Sequence, residues 1–541
     1  MDIASPPPQP GALKGAPHDC DVLIVGGGIN GAGIARDLAG RGLRVLLCEK
    51  DDLASHTSSA STKLIHGGLR YLEHYEFALV RKALAEREVL LRSAPHIIKP
   101  LRFVMPHNPG MRPAWMIRIG LFLYDHLAHR DVLPGSSSIH LRTHPAGAPL
   151  KPEFVRGFVY SDGWVDDARL VVLNAVDAAA RGATVLTRWA CTRAWRETGA
   201  QVSHWHVNLR SAAGEELNVK ARALVNATGP WAAQFLADHL GAAQRKSLRL
   251  VKGSHIVVPQ LFEHEHAYIF QNPDKRIIFA IPYEGNFTLI GTTDVEHFGA
   301  IGQPRIDAAE IKYLCEQASR YFARAVAPSD VVWSYSGVRP LLDDDSGDPS
   351  AVTRDYHLEL DAPARPDSDA RAAPLLTVWG GKITTFRKLA EEAADLLQEP
   401  LATPRGAWTE RALLPGGDFS AWIGPAVRPD TDFTRFVQAL ALRYSDLPPA
   451  LCRRLARAYG SRAEALLGTG ELGAQVAPGL FEAELNFLHA TEWARCADDV
   501  LWRRSKLGLH LNLTQRNAVA LWCGQHWRES ATMAAMDNAC N

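Results

Sequence analysis

The sequence lacks the features that mark several large classes of protein. Its formal net charge is +0, so no global field favours nucleic acid as a partner. Its eight cysteines form no C-x-x-C pair, which indicates free thiols in a reducing compartment rather than a disulfide framework or a zinc site. No stretch offers the roughly 20 uncharged apolar residues of a membrane-spanning helix. We therefore expect no metal site and no nucleic-acid partner, and any membrane role must be peripheral.

Length and composition indicate a globular protein of more than one domain. With 541 residues, 47% of them hydrophobic and 22% charged, the chain can build roughly two to four domains with sizeable cores. Residues 1–18 are rich in Pro and Gly and have no signal-peptide core, so we expect a disordered tail there. A Pro- and Gly-rich linker at residues 404–417 precedes helical patterns, and residues 482–507 are predicted as one helix.

The stretch DVLIVGGGINGAGIARDLAGRGLRVLLCEK, residues 21–50, carries the pattern of a dinucleotide-binding βαβ unit. A short apolar strand leads into Gly26-x-Gly28-x-x-Gly31, a helix follows, and a second strand ends at Glu49. The glycines permit a tight turn, close approach of the backbone to a pyrophosphate, and close packing of helix on strand. The helix N-terminus favours phosphate, and Glu49 stands where an acid accepts from ribose hydroxyls. The unit by itself does not choose between NAD and FAD.

A hydroxyl-rich segment follows, SHTSSASTKLIHGGLRYLEHYEF at residues 55–77. Its small polar residues beside Lys63 suit a phosphate or the edge of an isoalloxazine ring. Gly67 and Gly68 let the backbone approach a flat ring. The residue types alone fit a polar linker with a glycine turn equally well, so both interpretations stay open at this point.

The string from Gly26 through Phe77 resembles the FAD-dependent, respiratory-chain glycerol-3-phosphate dehydrogenases. The resemblance covers nearly the whole chain apart from the N-terminal tail and a polar loop at residues 361–374. It continues through WVDDARL (164–170), LVNATGPWA (224–232), KGSHIVVP (252–259), GTTD (291–294), SGVRPL (336–341), TRDY (353–356), GGKITTFRKLAE (380–391) and DDVLWRRSKLGL (498–509).

The resemblance and the strand pattern together predict an α/β fold, α+β overall. A Rossmann-type FAD-binding domain is expected to be discontinuous in sequence and to comprise residues 19–75, 155–230 and 340–400. Residues 405–541 are predicted as a C-terminal helical domain.

A substrate-binding domain with an antiparallel sheet is expected between these parts, from residues 76–154 and 231–339. Apolar and polar residues alternate at 254–259, 276–282 and 287–292, and this alternation predicts the antiparallel sheet.

The resemblance implies non-covalent FAD and also which residues contact it. Histidine attaches FAD covalently in some flavoproteins, and His66 lies near the flavin motif, but the resemblance is to the non-covalent kind. The predicted contacts are Gly26, Gly28, Ile29, Asn30, Gly31, Glu49, Lys50, Ser58, Ser59, Ser61, Lys63, Leu64, Gly67, Gly68, Thr228, Gly229, Gly381, Lys382 and Thr384.

Oxidising a secondary alcohol beside a phosphate requires a hydride acceptor, cationic partners for the phosphate, and a base for the hydroxyl proton. An isolated Arg is usually a surface charge, but five candidates lie in family motifs. By carry-over, Arg70, Arg354 and Lys382 bind phosphate and hydroxyl groups, and His255 and Arg339 form a catalytic pair beside the reacting carbon, also contacting substrate. We favour His255 as the base, since Arg339 stays protonated and would stabilise the developing alkoxide.

Residues 112–130, RPAWMIRIGLFLYDHLAHR, combine apolar side chains with interspersed bases. Such a basic amphipathic segment can lie in a membrane interface. It can also pack on its own domain, and the residues favour that second interpretation.

The sequence therefore predicts an enzyme that oxidises sn-glycerol 3-phosphate to dihydroxyacetone phosphate and passes electrons to a membrane quinone. The alternatives are an oxidase that uses O2, another FAD-dependent oxidoreductase of this fold, an NAD-linked dehydrogenase, and a flavin-binding sensor. No calcium-binding loop follows Leu509, which favours a bacterial-type enzyme in the cytoplasm, bound peripherally to lipid of the inner membrane. Family members often act as homodimers, which the residues themselves do not indicate.

Overall fold

The computed structural model describes residues 18–108, 112–197, 203–241, 248–274, 276–342, 355–365, 368–403, 405–468 and 470–527. The predicted tail lies outside the described residues except for His18, which begins the first strand.

Helices and strands alternate in the first two thirds of the chain, and helices dominate the last third. The described α-helices are α1 (Ile29–Gly40), α2 (Phe77–Ser93), α3 (Ala114–His126), α4 (Asp167–Ala180), α5 (Ala232–Leu240), α6 (Ala308–Ser319), α7 (Phe386–Leu401), α8 (Ser420–Ile423), α9 (Pro429–Arg443), α10 (Pro449–Tyr459), α11 (Ala463–Leu467), α12 (Glu482–Glu492) and α13 (Leu513–His526). The described strands are β1 (His18–Val25), β2 (Val45–Glu49), β3 (Leu64–Ile65), β4 (Ile98–His107), β5 (Ser137–His140), β6 (Arg156–Val165), β7 (Thr184–Thr187), β8 (Trp189–Arg196), β9 (Trp205–Ser211), β10 (Glu216–Asn226), β11 (Leu248–Pro259), β12 (Ala267–Gln271), β13 (Ile277–Tyr283), β14 (Phe287–Gly291), β15 (Val295–Glu296), β16 (Trp333–Leu342), β17 (His357–Asp361), β18 (Ala364–Arg365), β19 (Ser368–Arg371), β20 (Leu375–Trp379), β21 (Gln475–Ala477) and β22 (Leu480–Phe481).

The first sheet has a parallel centre built from distant parts of the chain, in the order β17-β20-β10-β1-β2-β7. Strand β1 pairs in parallel with both β10 and β2, and β20 pairs in parallel with β10. Both faces are buried: Val22 and Ile24 pack on a core shared with α1, α4 and α7, whereas Leu23 and Val25 pack on a second core with β8 and β9. This burial on both faces explains the uninterrupted apolar run of β1, and it confirms the discontinuous Rossmann-type domain.

The second sheet is largely antiparallel, in the order β15-β11-β14-β13-β12-β4-β6-β3, with β16 paired to β11 and β5 to β6. The three alternating segments predicted for this sheet become β11, β13 and β14, so the predicted antiparallel sheet is confirmed. Strands β3 and β6 also belong to this second sheet. The sequence had predicted their residues, 64–65 and 156–165, as part of the FAD-binding domain. Their apolar pattern fits either sheet equally well.

The C-terminal part, from α8 onward, has its own apolar core and a two-stranded hairpin, β21–β22. The single helix predicted over residues 482–507 is wrong. Helix α12 ends at Glu492 because Trp493 takes a left-handed backbone conformation with φ of 56°. A π-helical segment follows at Asp499–Arg504 and turns two arginines toward the first domain.

Buried ion pairs join the C-terminal part to the FAD-binding domain. Arg169 of α4 forms a two-pronged pair with Glu492, with Nη2 3.0 Å from Oε1, and both side chains are at most 1% exposed. Arg504 forms a similar pair with Asp52, with Nη2 2.8 Å from Oδ1. Burial alone raises the pKa of Glu492, but Arg169 and Arg462 outweigh it and lower the pKa to about 2.

Replacing one partner of this buried pair leaves the other charge without compensation. We expect Glu492→Gln to lower the free energy of unfolding by about 3 kcal/mol, measured by urea unfolding with tryptophan fluorescence. Because the pKa of Glu492 is lowered from 4.5 to about 2, the advantage of the wild type is full above pH 4.5 and disappears as pH falls toward 2. Glu464→Gln is the matched control, since its pair with Arg443 is about half exposed and is worth about 1 kcal/mol at most. Equal losses in the two variants would contradict the prediction.

Candidate active site

One cavity of about 640 Å³ lies between the two sheets. At one end its wall is the Gly-rich turn after β1, and at the other end it reaches Arg339 on β16. The cavity therefore joins the dinucleotide motif to polar side chains of the second sheet.

The Gly-rich turn has no room for side chains. A Cβ at Gly31 would lie 1.9 Å from the carbonyl oxygen of Gly26, and one at Gly26 would lie 2.5 Å from that of Ala227. Gly26 also has φ of 113°, which L side chains rarely adopt. Gly28 caps α1 without a side chain, so backbone N–H groups of the first turn face the cavity.

Glu49, at the end of β2, lies in the cavity wall and accepts hydrogen bonds from the backbone N–H of Gly27 at 2.7 Å and of Asp51 at 2.9 Å. Burial raises the pKa of Glu49, and these backbone bonds oppose the shift. Each carboxylate oxygen keeps acceptor capacity for a ribose hydroxyl. His56 bonds to Asp51 at 2.7 Å, so the three acidic and imidazole groups gathered here form an internal network at the dinucleotide end.

The hydroxyl-rich segment folds across the first sheet rather than forming a free linker. Ser58 Oγ accepts from the backbone N–H of Ile29 at 2.9 Å, which fixes the segment against the start of α1. Lys63 was predicted to contact the cofactor, but its Nζ donates instead to Asp167 at 2.7 Å and to the carbonyl of Ser59 at 2.6 Å. Burial of this ammonium requires the ion pair, which is why Lys63 is structural in this fold.

A third wall comes from the chain after β20, where Gly380 and Gly381 have φ of 73° and 102°. Asn30 of α1 donates Nδ2–H to the carbonyl of Gly380 at 3.2 Å, and its buried Oδ1 has no hydrogen-bond partner within the part of the chain that the structure describes. The free acceptor, the glycine N-cap of α1 and the glycine turns fit a flavin dinucleotide. When bound, such a group supplies a hydride acceptor.

Most of the predicted site residues line this cavity. They are Gly26, Gly28, Ile29, Asn30, Glu49, Lys50, Ser58, Ser61, Leu64, Gly68, Arg70, Thr228, Gly229, Arg339, Gly381, Lys382 and Thr384. Gly31, Ser59, Lys63, Gly67 and His255 are not among the described lining residues. Arg354 lies outside the described residues.

Arg339 projects from β16 into the cavity and is held by the turn after β14. Its Nη1 lies 2.9 Å from Asp294 Oδ1, and its Nη2 donates to Thr292 Oγ1 at 3.1 Å. Gly253 on the neighbouring strand makes room for it, because a Cβ there would lie 2.4 Å from Arg339 Nη2. The Arg339 side chain is a third exposed and lines the cavity, where it can meet a ligand.

His255 lies on β11 between two cross-strand neighbours, one on β14 and one on β16. Tyr335 on one side stacks on the imidazole with centroids 4.8 Å apart, and Gly291 on the other side leaves room for the ring. The imidazole is 1% exposed, and its Nε2 lies 3.0 Å from Thr62 Oγ1. Burial lowers the pKa of His255 well below its usual range, and the charges of Lys63 and Arg339 lower it further.

Two cations stand on the remaining wall. Arg70 follows the Gly67–Gly68 turn and is half-buried, and Lys382 Nζ lies 4.1 Å from the ring centroid of Tyr71. Both lie in the lining, where they can meet an anionic ligand.

The predicted contacts omit four side chains that line the cavity: Thr62, Tyr71, Thr292 and Asp294. The sequence could have indicated them, because each belongs to a segment that carries the family resemblance. Alternation along β16 is a further signal, since Tyr335, Gly337 and Arg339 share one face of the sheet.

Comparison with known proteins agrees with this geometry. A family model described as FAD dependent oxidoreductase matches residues 21–358, and one described as the C-terminal domain of alpha-glycerophosphate oxidase matches residues 407–521. The glycerol-3-phosphate dehydrogenase of Pseudomonas aeruginosa is 52% identical over 92% of this chain and 93% of its own. The aerobic glycerol-3-phosphate dehydrogenase of Escherichia coli is 49% identical over 95% of this chain and 99% of its own. This chain belongs to the FAD-dependent glycerol-3-phosphate dehydrogenase family.

Members of this family include a solved structure, the Bacillus halodurans glycerol-3-phosphate dehydrogenase complexed with FAD. It is 27% identical, with a TM-score of 0.73 over 98% of this chain and 95% of its own. FAD is accordingly the cofactor of this enzyme. A D-erythritol 1-phosphate dehydrogenase of Brucella abortus is also similar, at 48% identity over 94% of this chain and 98% of its own.

The turn geometry predicts the effect of a single methyl group on FAD binding. We expect Gly26→Ala to weaken FAD binding at least about tenfold, or 1.4 kcal/mol, because the added Cβ meets a backbone oxygen at 2.5 Å. Flavin content per protein and equilibrium dialysis measure the loss. Gly214→Ala is the matched control, since Gly214 also has a positive φ of 88° but open space around a Cβ. Normal flavin content in Gly26→Ala would show that the turn does not hold the dinucleotide.

Proposed function

We propose that this family member oxidises sn-glycerol 3-phosphate to dihydroxyacetone phosphate and passes the electrons to a membrane quinone. The observation that carries the proposal is the cavity that is lined by the dinucleotide turn and also by Arg70, Lys382 and Arg339. The names of the two bacterial dehydrogenases above support the same substrate.

In this proposal the dianionic phosphate binds Arg70 and Lys382, with Arg354 as a third partner. Guanidinium groups suit phosphate because they donate two parallel hydrogen bonds. Arg339 contacts the C2 hydroxyl and stabilises negative charge that develops on its oxygen. His255 is the acceptor of the hydroxyl proton, since an imidazole nitrogen can take a proton whereas the guanidinium of Arg339 stays protonated.

The test is anaerobic reduction of the bound flavin, followed by its absorbance. Glycerol 3-phosphate is expected to bleach the flavin within a turnover, and D-erythritol 1-phosphate to do so much more slowly. The opposite preference would assign the enzyme to the second substrate, for which the Brucella abortus relative is the supporting observation. A flavin that neither phosphate reduces would contradict both assignments. Rapid reoxidation of the reduced flavin by air would favour O2 as acceptor over quinone.

Arg339 is the most direct test of the substrate end. We expect Arg339→Ala to lower kcat/KM for glycerol 3-phosphate by at least about 100-fold, the scale of losing one well-placed electrostatic donor. Steady-state kinetics with a soluble dye acceptor measure it, with flavin content as the control for folding. Unchanged kcat/KM at normal flavin content would remove Arg339 from the site.

Helix α3 supports membrane contact and hence a quinone acceptor. Among the described residues, no helix is long and apolar enough to cross a bilayer. However, α3 exposes one apolar stripe to solvent, with Trp115, Met116, Ile119, Phe122 and Leu123 each 38–63% exposed. The interpretation that this helix packs on its own domain holds for its other face, where Leu121 and Tyr124 are buried.

The exposed stripe is bordered by further apolar and basic groups. Arg112, just before α3, forms an ion pair with Glu73. This pair brings the exposed side chains of Tyr75 and Phe77, which follow Glu73 in the chain, close to the stripe. Bases attract the helix to anionic lipid, and the apolar side chains enter the interface. On the buried face, the hydroxyl of Tyr124 accepts from the backbone N–H of Gly67 at 2.8 Å, next to the cavity. A lipid-bound α3 would therefore hold the flavin end of the cavity close to a membrane quinone.

Phe122→Glu tests the membrane contact. Burial of a Phe side chain is worth roughly 1.5–3 kcal/mol, so we expect at least about tenfold weaker binding to vesicles containing anionic lipid. Quinone-linked turnover falls in parallel, while turnover with a soluble dye stays unchanged. Leu442→Glu is the matched control, because Leu442 is 81% exposed but belongs to a different helix, α9. Equal vesicle binding of the two variants would exclude α3 as the contact.

The remaining parts of the proposal concern the location of the protein, the attachment of FAD and the assembly of the chain. The cysteines that the structure describes are free thiols, which fits a cytoplasmic protein at the inner face of the membrane. Non-covalent attachment of FAD, despite His66 in the cavity wall, and a homodimeric assembly remain predictions from the family resemblance.

A further inference from the structure

The residue favoured as base does not reach the cavity by itself. His255 is 1% exposed and is absent from the lining residues that the structure describes, whereas Thr62 is among them. Thr62 Oγ1 lies 3.0 Å from His255 Nε2. A substrate in the cavity therefore meets the hydroxyl of Thr62 before it meets the imidazole.

The neighbours of His255 hold its imidazole ring beside the Thr62 hydroxyl. The cross-strand stacking of Tyr335 and the missing side chain of Gly291 fix its plane. The hydroxyl of Tyr335 donates to the carbonyl of Ser61 at 2.8 Å, so the same tyrosine also holds the residue next to Thr62.

The hydrogen-bonding capacity of the pair permits a relay in one of the two neutral tautomers of His255. His255 Nδ1 is buried and has no partner among the described residues, and Nε2 has the Thr62 hydroxyl. In the neutral tautomer with hydrogen on Nδ1, the Nε2 lone pair accepts from Thr62. The threonine oxygen then presents its own lone pairs, which can accept a hydrogen bond from an alcohol in the cavity.

We propose that Thr62 is a catalytic residue that relays the substrate proton to His255. As the C2–H bond breaks and the hydride leaves for the cofactor, the C2 hydroxyl proton moves to Thr62 Oγ1. The proton of Thr62 moves at the same time to His255 Nε2, and the C2–O bond becomes the carbonyl of the product. Charge and electrons balance: the substrate loses a hydride and a proton, and His255 becomes an imidazolium. The relay rests on the proposed alcohol oxidation.

Asp294 is the competing proton acceptor in the cavity wall. Its carboxylate faces Arg339 at 2.9 Å, so its charge is already engaged by the guanidinium that the substrate needs. His255 Nε2 instead faces the neutral hydroxyl of Thr62, so its lone pair is not engaged in an ion pair. The experiment therefore separates a path through Thr62 from one through Asp294.

The test compares Thr62→Val, which keeps the shape but removes the hydroxyl, with Thr62→Ser, which keeps the hydroxyl. The rate of anaerobic flavin reduction by glycerol 3-phosphate is expected to fall about 100-fold in Thr62→Val, the lower range for a lost proton-transfer group. Thr62→Ser is expected to stay within a few-fold of wild type. Flavin content and thermal midpoint confirm that both variants fold.

Two further readouts distinguish a relay from a structural role. His255→Gln and the double variant Thr62→Val/His255→Gln are expected to reduce at the same rate as Thr62→Val, since residues that act as one unit are not additive. In holoenzyme with 15N-labelled histidine, the ring spectrum of His255 is expected to show hydrogen on Nδ1. Its Nε2 resonance shifts in Thr62→Val and returns in Thr62→Ser.

The proposal is overturned by wild-type reduction rates in Thr62→Val, by equal loss in Thr62→Ser, by additive losses in the double variant, or by hydrogen on Nε2 of His255 in the wild type. Failure of the proposed function looks different, because the wild-type flavin itself would then not be reduced by glycerol 3-phosphate.

Discussion

The buried ion pair of Lys63 and Asp167 is the interaction on which the geometry of the site depends. Both side chains are at most 1% exposed, and Nζ lies 2.7 Å from the carboxylate. Asp167 stands in the first turn of α4, where the helix dipole favours an anion, and it also accepts from the Ser61 hydroxyl at 2.7 Å. Lys63 lies 4.6 Å from the ring centroid of Tyr335 on the second sheet. The pair thus ties the hydroxyl-rich segment to helix α4 and to the second sheet, and either charge alone would be left uncompensated in the interior.

This anchoring explains how one short segment serves two ligands. Ser58 faces the start of α1 and the dinucleotide turn, while Thr62, four residues later, faces His255 on the second sheet. In the second sheet, glycines lie beside the large functional side chains. Gly253 and Gly291 leave the space that Arg339 and His255 fill, so the positions of these functional groups depend on what their neighbours lack.

Helix α3 connects the same site to the outside of the protein. Its buried face reaches the cavity through Tyr124, whose hydroxyl donates to the lining residue Asp162 at 2.7 Å, and its other face carries the exposed stripe that is proposed to bind lipid. The two faces reconcile the packed and the membrane-bound interpretations of this segment, because each describes one side of the helix. Under the proposed function, the water-soluble phosphate enters the cavity while the exposed stripe contacts the membrane that holds the quinone.

The sequence by itself determined the dinucleotide turn, since Gly26, Gly28, Gly31 and Glu49 act within one local βαβ unit whose spacing fixes their geometry. It also predicted the discontinuous first domain and, through motifs that carry the family resemblance, the cations Arg70, Arg339 and Lys382 that line the cavity. Only the tertiary structure decided which sheet received β3 and β6, because an apolar strand fits either one. It also decided that Lys63 pairs with Asp167 and that His255 lies behind Thr62. Both depend on contacts between residues more than 100 positions apart along the chain, which local patterns do not encode.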